Sequence, residues 1–337
     1  MNTIACFGEL LLRLSAPGVQ PLLRSARLET CFGGAEANTA IALAYLGHRA
    51  RILTTLPDNP IGEACLGELR RHGIDSSGVR LRPGRMGLYF YTAPAQLRPA
   101  RVVYDRASSA FSLAGPACYD WPVLLEGAQW LHVSGITPAL GEACLAALRA
   151  AVDAARSAGV RISFDCNLRP SLWAGRESQA PDLLRPFAQA AQLLFGNAAD
   201  IAALFGGSPG SGPPQEAQQQ AAQAAFAACP TLAHVAATHR HTHSADHHSL
   251  TGFLSTRTAT CTSRLFELDP ILERIGGGDA FAAGILHGLC RGDSAQRTVD
   301  FATALSALKH TLPGDFSTFG AGDVEHLLEA GRLDVRR

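Results

Sequence analysis

Residues 273–284 restrict this chain more than any other stretch: Glu273-Arg274-Ile275-Gly276-Gly277-Gly278-Asp279-Ala280-Phe281-Ala282-Ala283-Gly284. Three consecutive glycines free the backbone for conformations other residues resist. Asp279 follows at once, and then Phe281, Ile285, Leu286 and Leu289 recur at helical spacing. A glycine turn that opens a helix is therefore predicted. Such a turn aims several unpaired N–H groups at one spot, with the positive end of the helix dipole behind them. That spot suits anions, phosphates above all. A carboxylate beside it has two readings. Asp279 is an N-terminal cap, or it takes a proton from a hydroxyl that attacks phosphorus. The spacing matches neither GxGxxG nor GxxxxGK[ST], so the dinucleotide and Walker readings lack their residues.

Composition narrows the class. With 337 residues, 47% hydrophobic, the chain can bury one large α/β core or two smaller ones. Its 29 basic and 29 acidic residues balance and form no run, which argues against a nucleic-acid partner. The N-terminal stretch carries Glu9 and Arg13 among its apolar residues and reads as a strand rather than a signal peptide. No apolar run approaches the roughly 20 residues of a membrane span. Nine scattered cysteines with no CxxC fit reduced thiols of a cytoplasmic protein better than a disulfide framework or a zinc site.

In chain order, residues 4–14 read as one strand with Gly8-Glu9 in its middle. Gly33-Gly34 leads into a helix over 37–46, where the glycines allow close approach of a ligand and Asn38 offers an amide. A strand at 51–56 and a helix at 62–72 follow. The runs 86–91 and 101–106 have no helix between them and should pair antiparallel as a flap. Tyr89, Tyr104 and Arg106 on that flap would meet a small polar ligand, or else form an ordinary surface hairpin. Strands at 130–134, 161–165 and 193–196 then alternate with helices at 141–157 and 181–191, as in a buried parallel sheet. Asp165, Asn167 and Arg169 leave the carboxyl end of a strand, where ligands of such sheets sit. Asn197 and Asp200, three apart, share a helical face and could hold Mg²⁺ through water, or Asn197 is simply a cap. Residues 206–224 run from a Gly/Pro/Ser loop into a Gln/Ala helix. After a strand at 234–238, residues 239–248 hold five histidines and read as an exposed loop, since no apolar frame flanks them; a transition-metal site is the other reading. Helices at 279–291, 294–310 and 322–330 close the chain.

Together these pieces resemble the ribokinase-like (PfkB) sugar kinases nearly end to end. The first family signature, GG-x-x-x-N-x-A, stands at Gly33 to Ala40, and the second, usually D-T-x-G-A-G-D-x-F, stands at Glu273 to Phe281. The resemblance implies an α/β fold: a three-layer α/β/α domain spanning 1–337, with a small antiparallel β lid from about 12–32 and 84–112. It implies Asp279 as the base and the N–H groups of Gly276, Gly277 and Gly278 as stabilisers of the transferring phosphoryl. Gly33, Gly34, Asn38, Tyr89, Tyr104, Arg106 and Arg169 would hold the sugar. Asn167, Asn197, Thr238 and Thr303 would line the nucleotide site. Asp200 and Glu273 would hold Mg²⁺ through water, the metal arriving with ATP. The flap would exclude water as a competing acceptor.

Finer features, including Gly-Leu-Tyr-Phe at 87–90, Tyr-Asp-Arg-Ala at 104–107 and Lys309-His310 before Pro313-Gly314-Asp315-Phe316, look like the family members that act on 2-keto-3-deoxygluconate. A sugar acid needs a charged donor for its carboxylate, which the arginines supply. A different sugar, or a sugar-sensing homologue without catalysis, is the rival reading. In three places the chain departs from the family pattern. Glu273 replaces an Asp, Asp200 replaces a Glu, and the K-x-G-x-x-G turn along the nucleotide gives way to the histidine-rich stretch. The last departure bears on ATP affinity or on the donor itself. Apolar flap residues Val102, Val103 and Phe111 suggest a homo-oligomer, a dimer or higher, paired lid to lid.

Overall fold

The computed structural model describes residues 2–210 and 212–330. Ser211, inside the expected 206–224 segment, and both ends of the expected 1–337 domain lie outside the described residues. Strand β1 (Thr3–Phe7) buries all of its last four side chains, alternating between two faces. The single strand expected over 4–14 breaks at Gly8-Glu9-Leu10. There the backbone passes so close to the next helix that a Cβ on Gly8 would lie 2.0 Å from the Glu36 carboxylate. Beyond the break, β2 (Leu11–Ser15) and β3 (Glu29–Gly33) pair antiparallel in a separate sheet. Helix α1 (Ala35–Tyr45) then leads to β4 (Arg49–Pro57), which lies parallel to β1. Asn59 accepts hydrogen bonds from two backbone amides, and with Pro60 in the first turn it starts α2 (Pro60–Arg71); β5 (Val79–Arg82) follows at the sheet edge.

β6 (Gly87–Thr92) and β7 (Arg101–Asp105) pair antiparallel, as expected. The lid they complete has the order β3-β2-β6-β7. It is a mixed sheet rather than the expected antiparallel one, because β2 and β6 run parallel. Each leaves the body just after a parallel body strand, β1 or β5, so both enter the lid in the same direction.

The body then alternates: α3 (Trp121–Leu124), β8 (Ala128–Ser134), α4 (Ile136–Ala139), α5 (Glu142–Ser157), β9 (Arg161–Asp165), α6 (Ala180–Ala190), β10 (Leu193–Phe195), α7 (Ala198–Phe205), α8 (Pro214–Ala228) and β11 (His234–Thr242). Antiparallel β12 (His248–Ser255), β13 (Thr260–Thr262) and β14 (Phe266–Leu268) extend the sheet edge. The histidine-rich stretch is thus a β-hairpin and not a loop: β11 runs on to Thr242, which pairs with His248. Period-two alternation carries the ladder through a polar sequence there. Helices α9 (Gly277–Arg291), α10 (Ala295–Lys309) and α11 (Ala321–Ala330) finish the body.

Two apolar layers flank the main sheet. Ala5, Phe7, Leu131, Val133, Ile162 and Phe164 pack under α5 to α8. Ile4, Cys6, Trp130, Leu193 and Phe195 pack under α1, α2 and α9 to α11. This is the expected three-layer α/β/α arrangement. Its strands deliver Glu9, Ser134, Asp165 and Asn197 at or just beyond their carboxyl ends and Thr238 midway along β11; Glu9 and Asp165 face the lid.

Candidate active site

Gly276 caps α9 in the left-handed conformation, at φ 84°, and a Cβ there would lie 2.0 Å from the Asp315 carbonyl oxygen. No other residue fits that turn without displacing the 313–316 segment. A Cβ on Gly278, by contrast, would meet nothing within 4 Å. Behind the turn lies Lys309, fully buried, its Nζ donating to the carbonyls of Leu312 (3.1 Å) and Gly314 (2.9 Å). Burial pushes this ammonium down to about 8, against the upward pull of Glu273 and Asp315. Helix dipole, open amides and Lys309 together make the spot positive.

Asp279 stands in the first turn of α9. Asn38 Nδ2 donates to its Oδ2 at 2.6 Å, and Asn38 Oδ1 accepts from the Gly34 N–H at 3.2 Å. Burial lifts the Asp279 carboxyl to about 6, while Asn38 and Arg169 pull it down. Asp165 and Glu36 rise to about 7, each chiefly through burial and each further repelled by Asp279. A base that titrates near the working pH can both accept and release a proton.

Two cavities meet at this turn. One, of about 460 Å³, lies between lid and body and is lined by Gly34, Asn38, Tyr89, Tyr104, Arg106, Asp165, Asn167, Arg169 and Asp279. The other, of about 670 Å³, runs along β11 past Asn197, Thr238, Leu250, Phe253, Gly277 and His310. Gly278, Arg240 and Arg274 border both. Neither guanidinium has an ionic partner among the described residues. Burial and the neighbouring Arg274 hold Arg240 down at about 10. Two unpaired cations at the junction suit the phosphates of a nucleotide.

The remaining arginines differ in their freedom. Arg106 pairs with Glu9 at 2.5 Å, and Ser109 donates to the same carboxylate. Arg13 is buried between Glu273 (2.5 Å) and Asp315 (3.0 Å). Arg169 donates only to neutral oxygens, the Tyr104 hydroxyl and Asn167 Oδ1, both at 2.8 Å. Unlike Arg106 and Arg13, it keeps its charge for a ligand.

Several expected residues take other places. Glu273 does not face Asp200 or either cavity. It accepts from the Arg274 and Ile275 amides and from Arg13, and so holds the glycine turn to the lid. Thr303 is fully buried, donates to the Val299 carbonyl and packs tightly against Gly252, apart from the nucleotide cavity. Asn167 lines the lid-side cavity and not the nucleotide side, because a left-handed turn at φ 40° swings it back. Gly33 packs on Asp315 and leaves Gly34 to line the cavity. Asn38 spends its amide on Asp279 and Gly34, and the Tyr89 hydroxyl donates to Asp315. Asn197 caps α7, and Asp200 Oδ2 in turn accepts from the Asn197 N–H in a capping box. Phe111 packs in the core beside Phe7, away from the lid surface.

The sequence reading missed Arg240, Arg274, Glu9 and Asp315 as site groups. It registered Arg13 only as a charge inside an apolar run. A lone Arg at the centre of Leu11-Leu12-Arg13-Leu14 needs a buried acid, and that was the available signal.

A glycine turn with open amides and an adjacent carboxyl group, where a lid-side cavity meets a second cavity with free arginines at the junction, defines a phosphotransferase acting on an alcohol. The fold agrees. At 36% identity, a 2-dehydro-3-deoxygluconokinase of Thermotoga maritima superposes with a TM-score of 0.93 over 97% of this chain and 98% of that one. The chain belongs to the pfkB family of carbohydrate kinases, whose model matches residues 1–239. A 2-dehydro-3-deoxygalactonokinase of Haloferax volcanii is 30% identical over 99% of both chains. A 2-dehydro-3-deoxygluconokinase of Bacillus subtilis is 28% identical over 92% of this chain and 90% of its own.

Proposed function

We propose that this kinase transfers the terminal phosphoryl of ATP to 2-keto-3-deoxy-D-gluconate, giving the 6-phosphate. The observation that carries this reading is the meeting of the two cavities at Gly276–Asp279, with Arg169 free inside the lid-side one. Arg169, with Tyr104 and Arg106, binds the carboxylate, and Gly34, Tyr89 and Asn167 border the sugar chain. Asp279, held by Asn38, takes the proton of the 6-hydroxyl. As that oxygen bonds to phosphorus, the bond from phosphorus to the ADP oxygen breaks, and ADP leaves. The amides of Gly276 to Gly278 and the Arg240–Arg274 pair hold the charge on the transferring group. Thr238 and Asn197 line the path of the nucleotide.

Mg²⁺ would be held, through water, by the half-buried carboxyls of Asp200 and Asp165, and would neutralise phosphate charge. Body and lid form one catalytic unit. Five buried free thiols, Cys6, Cys65, Cys144, Cys166 and Cys229, support a reducing cytoplasmic setting. No described helix is long and apolar enough to cross a membrane.

The Haloferax volcanii relative supports a second acceptor, the C4 epimer 2-keto-3-deoxy-D-galactonate. A coupled ADP-release assay across both keto acids, fructose and ribose tests the proposal. The highest kcat/KM is expected with 2-keto-3-deoxygluconate, and Arg169→Ala should cost the acids at least about tenfold more than the neutral sugars. A neutral sugar as best substrate overturns the sugar-acid reading.

A further inference from the structure

The kinase reaction leaves the histidine hairpin without a role. Along β11, His239 and His241 share the face opposite Thr238, Arg240 and Thr242, because side chains alternate, and His243 follows in the turn just beyond the strand. Cross-strand partners fall on a common face, so His241, Ser249 and Glu267 align across β11, β12 and β14. The first face therefore collects imidazoles and a carboxylate. The second carries Thr238, Arg240 and Thr242 onto the nucleotide cavity.

On the outer face, His243, His247 and Glu267 bring one ligand atom each within 4.8 Å of one another. His247 Nε2 lies 3.2 Å from the Glu267 carboxylate, and the His243 and His247 rings are 4.4 Å apart. Ser249 sits between them, 2.5 Å from His243 Nε2 and 3.2 Å from Glu267. The tip is fixed by its own backbone, since the His243 and Ser244 amides both donate to the His247 carbonyl. The side chains of His247 and Glu267 are 37% and 56% exposed, so an ion can reach them. Tetrahedral zinc needs ligand atoms roughly 3.4 Å apart, given bonds of about 2.1 Å. Small rotations of exposed side chains cover the difference.

We propose that His243, His247 and Glu267 form a binding site for a divalent transition-metal ion of the zinc type, with water or His241 as a fourth ligand. Two imidazoles and one carboxylate select zinc, nickel or copper over magnesium and calcium. The bound ion ties the hairpin tip to β14 and stiffens the strand whose other face lines the nucleotide cavity.

The test is calorimetric titration of the tag-free, chelator-treated full chain with zinc chloride, in the absence of nucleotide. One saturable equivalent is expected, with a rise in the thermal midpoint. His247→Ala and Glu267→Gln should each weaken binding by about tenfold or more, a loss of roughly 1.4 kcal/mol. His326→Ala, on exposed α11, controls for incidental histidine binding and should leave it unchanged. Thermal unfolding of the metal-free variants verifies that each is folded. No saturable binding, or equal binding by the hairpin variants and the His326 variant, overturns the proposal.

Discussion

At Asp279 a single hydrogen bond separates a cap from a base. A capping carboxylate would turn back to its own helix amides. This one accepts from Asn38, on another helix, and faces the cavity. Its raised position near 6 has a definite sign. The carboxyl must be ionised to accept a proton, and a raised value keeps it protonated to higher pH. Turnover should therefore fall as pH drops through about 6 and level off above it, as read from a kcat/KM profile. Asp279→Asn should remove that acid limb and cut kcat by about 100-fold or more, with the sugar KM within a few-fold of wild type. The glycines separate by the same logic. Gly278→Ala has open space and should fold normally, but its methyl projects where phosphate approaches, so kcat falls with little change in melting temperature. Gly276→Ala meets a carbonyl and a left-handed φ, and should lower the thermal midpoint measurably, the backbone strain alone costing about 1 kcal/mol.

Among elements, the lid and the β11 hairpin carry the sharpest consequences. On the lid's outer face, Leu12, Leu14, Leu88, Phe90 and Val103 lie across β2, β6 and β7, as the pairings Leu12–Leu88, Leu14–Phe90 and Phe90–Val103 require. Val103 is 44% exposed. An apolar sheet face of this kind fits a second copy of itself in a symmetric pair. Sedimentation should report a dimer that Val103→Asp dissociates; a monomeric wild type would remove the lid-to-lid pairing. At the junction of the cavities, Arg240→Ala and Arg274→Ala should each raise the KM for ATP several-fold while leaving that for the sugar acid near normal. An unchanged KM for ATP in both would exclude them from phosphate binding.

For the whole molecule, the periodic elements were legible because burial is written in the chain. Short runs buried on both faces in β1 and β9, and helical spacing in α5 and α9, announce their partners. The glycine turn opening α9, with its adjacent carboxylate, was legible because a local backbone need fixes local residues. What was hidden depended on distant pairing. The polar second half of β11, past the expected 234–238, is a strand because β12 is its neighbour, and β2 parts from β1 because α1 crowds Gly8. Glu273 and Thr303 were placed by family resemblance, yet Arg13 and Gly252 claim them, and no local pattern reveals that Arg13 and Glu273, 260 residues apart, are partners. The fold thus brings two cavities together at one glycine turn and its carboxyl group. The most direct measurement is a crystal structure of the full chain with a non-hydrolysable ATP analogue and 2-keto-3-deoxygluconate. The account predicts the γ-phosphate on the amides of Gly276 to Gly278, and the 6-hydroxyl within hydrogen-bond reach of Asp279. A terminal phosphate bound away from that turn, or a sugar hydroxyl out of reach of Asp279, would contradict it.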